Sequence, residues 1–194
     1  LFAYDAIILS DVARNEFQDE QLALIDEWVG QRGAGLCMVG GPRSFADGGW
    51  LNTAVAGMLP LTCAATERSW SSGGGLTVRA EPEAAQHPVW NIVSDARQNQ
   101  TIVSSLPRFS AAHRGLSAKQ TAQVLATGRF RDNTADTSLP VLAVLPYGKG
   151  RTMAVTVSLQ PQWSPEFALQ WGEGDNRYFA KFWRNAVYWL TENS

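Results

Sequence analysis

The order of apolar and punctuating residues in the first forty positions constrains this chain most. Ala6-Ile7-Ile8-Leu9 is an unbroken apolar run ending at Ser10-Asp11, the pattern of a strand buried on both faces of a sheet. Gln18-Asp19-Glu20 then supplies acidic first-turn residues, and Leu22, Ile25, Trp28 and Val29 recur at helical spacing until Gly33, which reads as a C-terminal cap. Leu36-Cys37-Met38-Val39 is a second buried strand, stopped by Gly40-Gly41-Pro42. Strand, helix and strand in so short a span predict a right-handed βαβ crossover.

Consecutive glycines after a buried strand let backbone N–H groups approach a ligand without Cβ interference, as in a loop that stabilises an oxyanion. A tight turn requires the same residues. Beyond this loop, Leu51 to Met58 predicts a short helix ended by Pro60, and Ser71-Ser72-Gly73-Gly74-Gly75 a flexible loop before a strand through Leu76-Thr77-Val78. Strands are predicted at Thr101-Ile102-Val103, Gln123 to Ala126, Pro140 to Leu145 and Thr152 to Val157. The last two flank Tyr147-Gly148-Lys149-Gly150-Arg151, a glycine-bearing hairpin turn. A terminal amphipathic helix presents Phe179, Phe182, Trp183, Ala186, Val187 and Leu190 on one face.

A chain of 194 residues with 45% hydrophobic content is long enough for one sizeable core, so a single domain is the simplest count. A formal net charge of −2 gives no basis for a nucleic-acid partner, which needs clustered Lys and Arg. No apolar run approaches the ~20 residues of a membrane span. Two well-separated cysteines argue against a zinc site or a disulfide framework. The opening Leu1-Phe2-Ala3-Tyr4-Asp5, without an initiator Met, predicts a processed chain or a part of something larger.

Several segments together carry a family resemblance. Tyr4 to Asp11, Glu20-Gln21-Leu22, Gly33 to Gly41, Ser44-Phe45-Ala46-Asp47-Gly48-Gly49-Trp50, Tyr147 to Arg151 and Arg177 to Arg184 resemble the class I glutamine amidotransferase-like domains. The resemblance implies a flavodoxin-like α/β fold with a mostly parallel sheet, an antiparallel hairpin extension and helices on both faces. It also implies a preceding strand and helix, and membership of a larger bacterial membrane-associated protein that tethers this domain to the membrane. No cofactor is expected.

A working member of that class places its nucleophile in Gly-x-Cys-x-Gly and draws a base from His-x-Glu. This chain has Gly35-Leu36-Cys37-Met38-Val39-Gly40, one residue too long, with Cys37 inside the strand. Cys63 has no glycine elbow, and neither His87 nor His113 begins a His-x-Glu. The expectation is therefore a non-catalytic ligand-binding or interaction module. Its partner is a small polar ligand or the other domains of the parent protein. A competing reading is a glutaminase-like amidohydrolase with Cys37 as nucleophile and His87 or His113 as base.

Other chemistries fit less well. Gly33-Ala34-Gly35 follows a helix and precedes a strand, the reverse of a dinucleotide fingerprint, and Gly148-Lys149-Gly150 lacks the rest of a phosphate loop. No metal site is expected, although Asp11, Asp47 and Asp175 have the freedom to meet in space. In open parallel sheets ligands lie beyond the carboxyl ends of the strands. That rule assigns ligand binding to Ser10, Asp11, Gly40, Gly41, Arg43 and Ser44. Trp163 and Trp171 join them on an expected long loop from Gln160 to Asp175.

Overall fold

The computed structural model describes residues 1–63, 69–132, 138–159 and 165–194. The predicted start is present: β1 (Ala6–Ser10), α1 (Asp19–Arg32) and β2 (Gly35–Gly40), with β1 and β2 parallel. Gln18 and Gln21 exchange side-chain and backbone hydrogen bonds in a capping box at the start of α1. Gly33 closes it at φ 85°, a left-handed conformation open to glycine. The expectation that β1 is buried on both faces does not hold. It is the edge strand, with Leu9 buried and Ile8 exposed.

The chain continues through α2 (Ala54–Met58), β3 (Leu61–Cys63), β4 (Trp70–Ala80), α3 (Ala96–Ser104), β5 (Arg108–His113), β6 (Leu116–Ala118) and β7 (Gln123–Phe130). It ends with β8 (Leu139–Tyr147), β9 (Gly150–Ser158), α4 (Pro165–Leu169) and α5 (Arg177–Thr191). The main sheet runs β1-β2-β9-β5-β4-β7-β8, and β8 pairs back onto β9.

That last pairing corrects the expected mostly parallel, flavodoxin-like sheet. Strands β9, β5, β4, β7 and β8 close a five-stranded barrel in which every pairing is antiparallel, and only β1–β2 and β2–β9 are parallel. Parallel neighbours need a crossover of a dozen or more residues, whereas adjacent strands joined by tight turns must run antiparallel. The Tyr147 to Gly150 hairpin is such a turn.

Two local expectations are also corrected. Gly73-Gly74-Gly75 lies inside the 11-residue strand β4, at a register shift between Ser72 and Leu76, and does not form a loop. Thr101-Ile102-Val103 lies in α3, because the Asp95 carboxylate caps the helix through the Gln98 N–H and Ile102 and Val103 pack inward. Strands β5 and β6 have no counterpart in the sequence reading.

Strand β2 divides the interior. Leu36 and Met38 join a cluster with Leu22, Ile25 and Trp28 of α1, while Cys37 and Val39 join one with Phe182, Ala186 and Leu190 of α5. This alternation is the period of a strand packed between two layers. On α5 the buried set is Phe182, Asn185, Ala186 and Leu190, and Val187 is exposed. No helix among the described residues is long and apolar enough to cross a membrane.

Candidate functional site

The parallel strands β1, β2 and β9 end side by side, where Ser10 pairs with Val39 and Gly40 with Ser158. Just beyond them the chain turns sharply at Asp11, whose φ of 52° is left-handed. Asp and Asn tolerate that region better than most residues, and strained positions of this kind cluster at ligand sites. The nearly buried Asp11 carboxylate accepts the Arg43 backbone N–H at 2.8 Å, and its other oxygen stands 3.9 Å from Arg43 Nε. Over this pair the Arg43 side chain remains more than half exposed.

Gly41 is the point of closest approach. A Cβ there would lie 2.5 Å from Asp11 Oδ1, and one at Gly40 would lie 2.3 Å from the Thr156 carbonyl oxygen. Neither glycine has a positive φ, so close packing and not a special backbone angle demands them. Ser44 is buried and donates to the Val39 carbonyl at 2.6 Å, which folds the loop back onto β2. That bond occupies the Ser44 hydroxyl within the loop. Ser10 is exposed at the end of β1.

A second layer lies behind the loop. His113, buried at the end of β5, places Nδ1 2.7 Å from Ser69 Oγ and 3.2 Å from Asp47 Oδ2. Its Nε2 is 2.9 Å from the carbonyl oxygen of Gly41 and 3.4 Å from the Gly41 nitrogen. Ser69 Oγ donates to Asp47 at 2.6 Å, and the Asp47 carboxylate also accepts the N–H groups of Ser69 and Trp70. The Phe45 and Trp70 rings pack on the imidazole with centroids 4.9 and 5.0 Å away.

Burial lowers the His113 pKa to about 4 against the opposing pull of Asp47, so the imidazole is neutral at pH 7. Nδ1 faces the Ser69 hydroxyl and the Asp47 carboxylate, and Nε2 faces the Gly41 peptide. The Gly41 carbonyl is satisfied by the Ser44 N–H at 3.0 Å.

A serine, a histidine and an aspartate in contact suggest a nucleophilic triad, but the wiring differs. In a triad the hydroxyl and the carboxylate engage opposite nitrogens of the ring. Here both meet Nδ1, the hydroxyl bonds directly to the carboxylate, and Ser69 and His113 are both buried. The arrangement clamps the loop after β2 to strands β4 and β5. The sequence reading named Asp47 but not its contact with Ser69, because the two stand 22 positions apart and no local pattern links them.

The other candidates are dispersed. Cys37 is fully buried at the middle of β2, burial pushes its thiol well above the usual range, and it has no hydrogen-bond partner among the described residues. His87 accepts the Val89 N–H at 3.3 Å and packs on Trp189, and burial followed by Arg151 lowers its pKa to about 4. Neither histidine hydrogen bonds the Cys37 thiol. Asp11, Asp47 and Asp175 do not converge: Asp175 pairs with Arg177, and no group of metal-ligating side chains occurs among the described residues.

The expected aromatic rim is corrected as well. Trp171 is buried, stacks on Phe167 at 5.3 Å and donates from Nε1 to the Ile102 carbonyl at 2.9 Å. It closes the core over α3 because its segment is not one long loop: α4 places Phe167 inward. Trp163 lies outside the described residues.

Parallel strands thus end in a clamped glycine loop beside a closed antiparallel barrel, in an α/β protein. Residues 1–192 match the model of the family described as "Putative glutamine amidotransferase", and the chain belongs to that family. Among solved structures it is similar to the cytoplasmic protein STM3548 of Salmonella typhimurium, at 25% identity and a TM-score of 0.72, covering 97% of this chain and 72% of that one. It is likewise similar to the cytoplasmic protein STM1381 of Salmonella typhimurium LT2, at 26% identity and a TM-score of 0.71, covering 97% and 73%. A ThuA-like protein of Parabacteroides merdae shares the fold at 13% identity and a TM-score of 0.56, covering 99% and 72%. No curated protein matches the sequence.

Proposed function

We propose that this chain is a non-catalytic, amidotransferase-like binding domain that holds a small polar ligand at the rim formed by Asp11, Gly41 and Arg43. The observation that carries the reading is the placement of Cys37. A thiol buried at the middle of a strand and kept protonated is a small hydrophobe, not a nucleophile. The His113 imidazole is committed elsewhere, since its Nε2 faces the Gly41 peptide. Cys63, half-buried at the end of β3, has no hydrogen bond from either histidine among the described residues.

What the rim offers is one exposed guanidinium over a nearly buried carboxylate, at the carboxyl ends of three parallel strands. Such a pair suits a small zwitterion or carboxylate, with Arg43 as its anchor. The domain works on this reading as one module of a larger bacterial membrane-associated protein.

Ammonia release from L-glutamine tests the non-catalytic half, and background rates are expected for both wild type and Cys37→Ala. Turnover in the wild type that disappears in Cys37→Ala overturns the reading in favour of an amidohydrolase. For the binding half, a thermal-shift series with L-glutamine and L-glutamate is expected to show stabilisation that Arg43→Ala removes. Equal stabilisation of Arg43→Ala removes the rim from the proposal.

A further inference from the structure

The two-stranded ribbon of β3 and β6 stands apart from the main sheet, with Leu61 opposite Ala118 and Cys63 opposite Leu116. Leu61 and Leu116 are buried and join the cluster that holds Phe45 and Trp50. Residues paired across a ribbon, and those two apart along it, share a face, so Cys63 lies on this face too. Helix α2 forms the opposite bank. Its Val55 and Met58 are buried in the core, while Ala56 and Gly57 line the space between helix and ribbon. The result is a mostly apolar groove of about 520 Å³, walled by Phe45, Trp50, Leu61 and Leu116. It stays open because the α2 bank carries no long side chain, and a Cβ at Gly57 would meet nothing within 4 Å.

One cation borders this groove. Lys119 follows β6, and its backbone N–H bonds to the Pro60 carbonyl. Its Nζ donates to the Gly57 carbonyl at 2.6 Å and lies 3.4 Å from the Ala56 carbonyl, which fixes the ammonium at the edge of the apolar walls. Burial lowers the Lys119 pKa, the effect of holding a charge partly out of water. No carboxylate pairs with it among the described residues. An ammonium has three N–H donors, so one is left for a ligand after both carbonyls are served.

We infer that this groove is a second binding site, for a small amphipathic carboxylic acid whose apolar body lies along Phe45, Trp50, Leu61 and Leu116 and whose carboxylate meets Lys119. The dimensions agree. Lys119 is tied to Pro60, three residues from Cys63, so the groove runs roughly 10 Å along the ribbon at ~3.3 Å per residue. A medium-chain fatty acid spans that length. Clefts of this volume with apolar walls and few polar groups are the common form of small-molecule sites. Burial of the apolar body supplies affinity, and the single ammonium sets its direction. A nucleotide or a sugar fits less well, because the walls leave most of its polar groups without partners.

Titration calorimetry with sodium octanoate and with 1-octanol tests the assignment, and amide chemical shifts locate the bound molecule. Octanoate is expected to bind wild type, to move the amide signals of Ala56, Gly57, Leu116 and Lys119, and to slow the labelling of Cys63 by a water-soluble disulfide reagent. Lys119→Met keeps the apolar stem and loses the charge. Octanoate is expected to bind it at least ~10-fold more weakly, while octanol binds both proteins alike and so shows that the variant is folded. Gly57→Leu is expected to block both ligands by filling the groove, with no fall in melting temperature. Absence of wild-type octanoate binding, equal octanoate binding by Lys119→Met, or shift changes confined to another region each overturns the site. Self-association of the wild type that Gly57→Leu abolishes assigns the groove to a second copy of the chain and overturns the small-molecule reading. Arg43→Ala is expected to leave octanoate binding unchanged, which separates this groove from the rim.

Discussion

His113 Nε2 lies 2.9 Å from the carbonyl oxygen and 3.4 Å from the nitrogen of Gly41, across 72 residues of sequence. A side chain at the end of the barrel strand β5 thus holds the peptide that turns the chain at the end of β2. Asp47 and Ser69 fix the opposite edge of the ring, so the loop cannot shift without breaking a buried polar network.

This burial makes stability depend on pH. The unfolded chain binds a proton on His113 near pH 6.5, whereas the folded protein resists it down to about pH 4. The contribution is fully present above pH 6.5 and is lost as the pH falls toward 4. The whole interval is worth about 3 kcal/mol. His87 shifts the same way, so the diagnostic quantity is the difference between wild type and His113→Asn in urea unfolding at pH 7 and pH 4.5. His113→Asn is expected to show a shallower pH dependence, and equal slopes would exclude His113 as its source.

Two glycines should respond in opposite directions. At Gly41 a methyl group would enter the Asp11 carboxylate, and Gly41→Ala is expected to cost about 1–3 kcal/mol by overpacking. In α2 a Cβ at Gly57 would meet nothing within 4 Å, and Gly57→Ala is expected to gain about 0.4–1 kcal/mol. Denaturant midpoints check both, and a neutral Gly41→Ala would show that the loop relaxes freely.

Trp171 should behave as a core residue. Its ring is buried between Phe167 and Tyr178, and Trp171→Ala is expected to destabilise the protein by about 3–5 kcal/mol. Trp171→Phe retains the stacking and loses the bond to Ile102, so a smaller loss is expected. A melting temperature unchanged in Trp171→Ala would return this residue to the surface.

Thiol labelling distinguishes the two cysteines. A water-soluble disulfide reagent is expected to modify Cys63 in the native protein and Cys37 only after unfolding, since Cys37 is fully buried and protonated. Rapid native labelling at Cys37 would reopen its role as a nucleophile.

The sequence by itself determined what depends on near neighbours. The β1–α1–β2 unit, the Gly33 cap and the β8–β9 hairpin were legible because periodicity and turn chemistry act over a few residues. So was the convergence of Asp11, Gly41 and Arg43, which follows once two parallel strands end side by side. Tertiary structure alone decided the rest. Barrel closure depends on β8 returning to β9 after β5, β4 and β7 have paired, and no local signal encodes partners so far apart. Tertiary packing also took three glycines into a strand and the three β-branched residues Thr101-Ile102-Val103 into a helix packed on the core, and buried Trp171. It also joined Asp47, Ser69 and His113, whose contact is written in the register of strands and not in the order of residues.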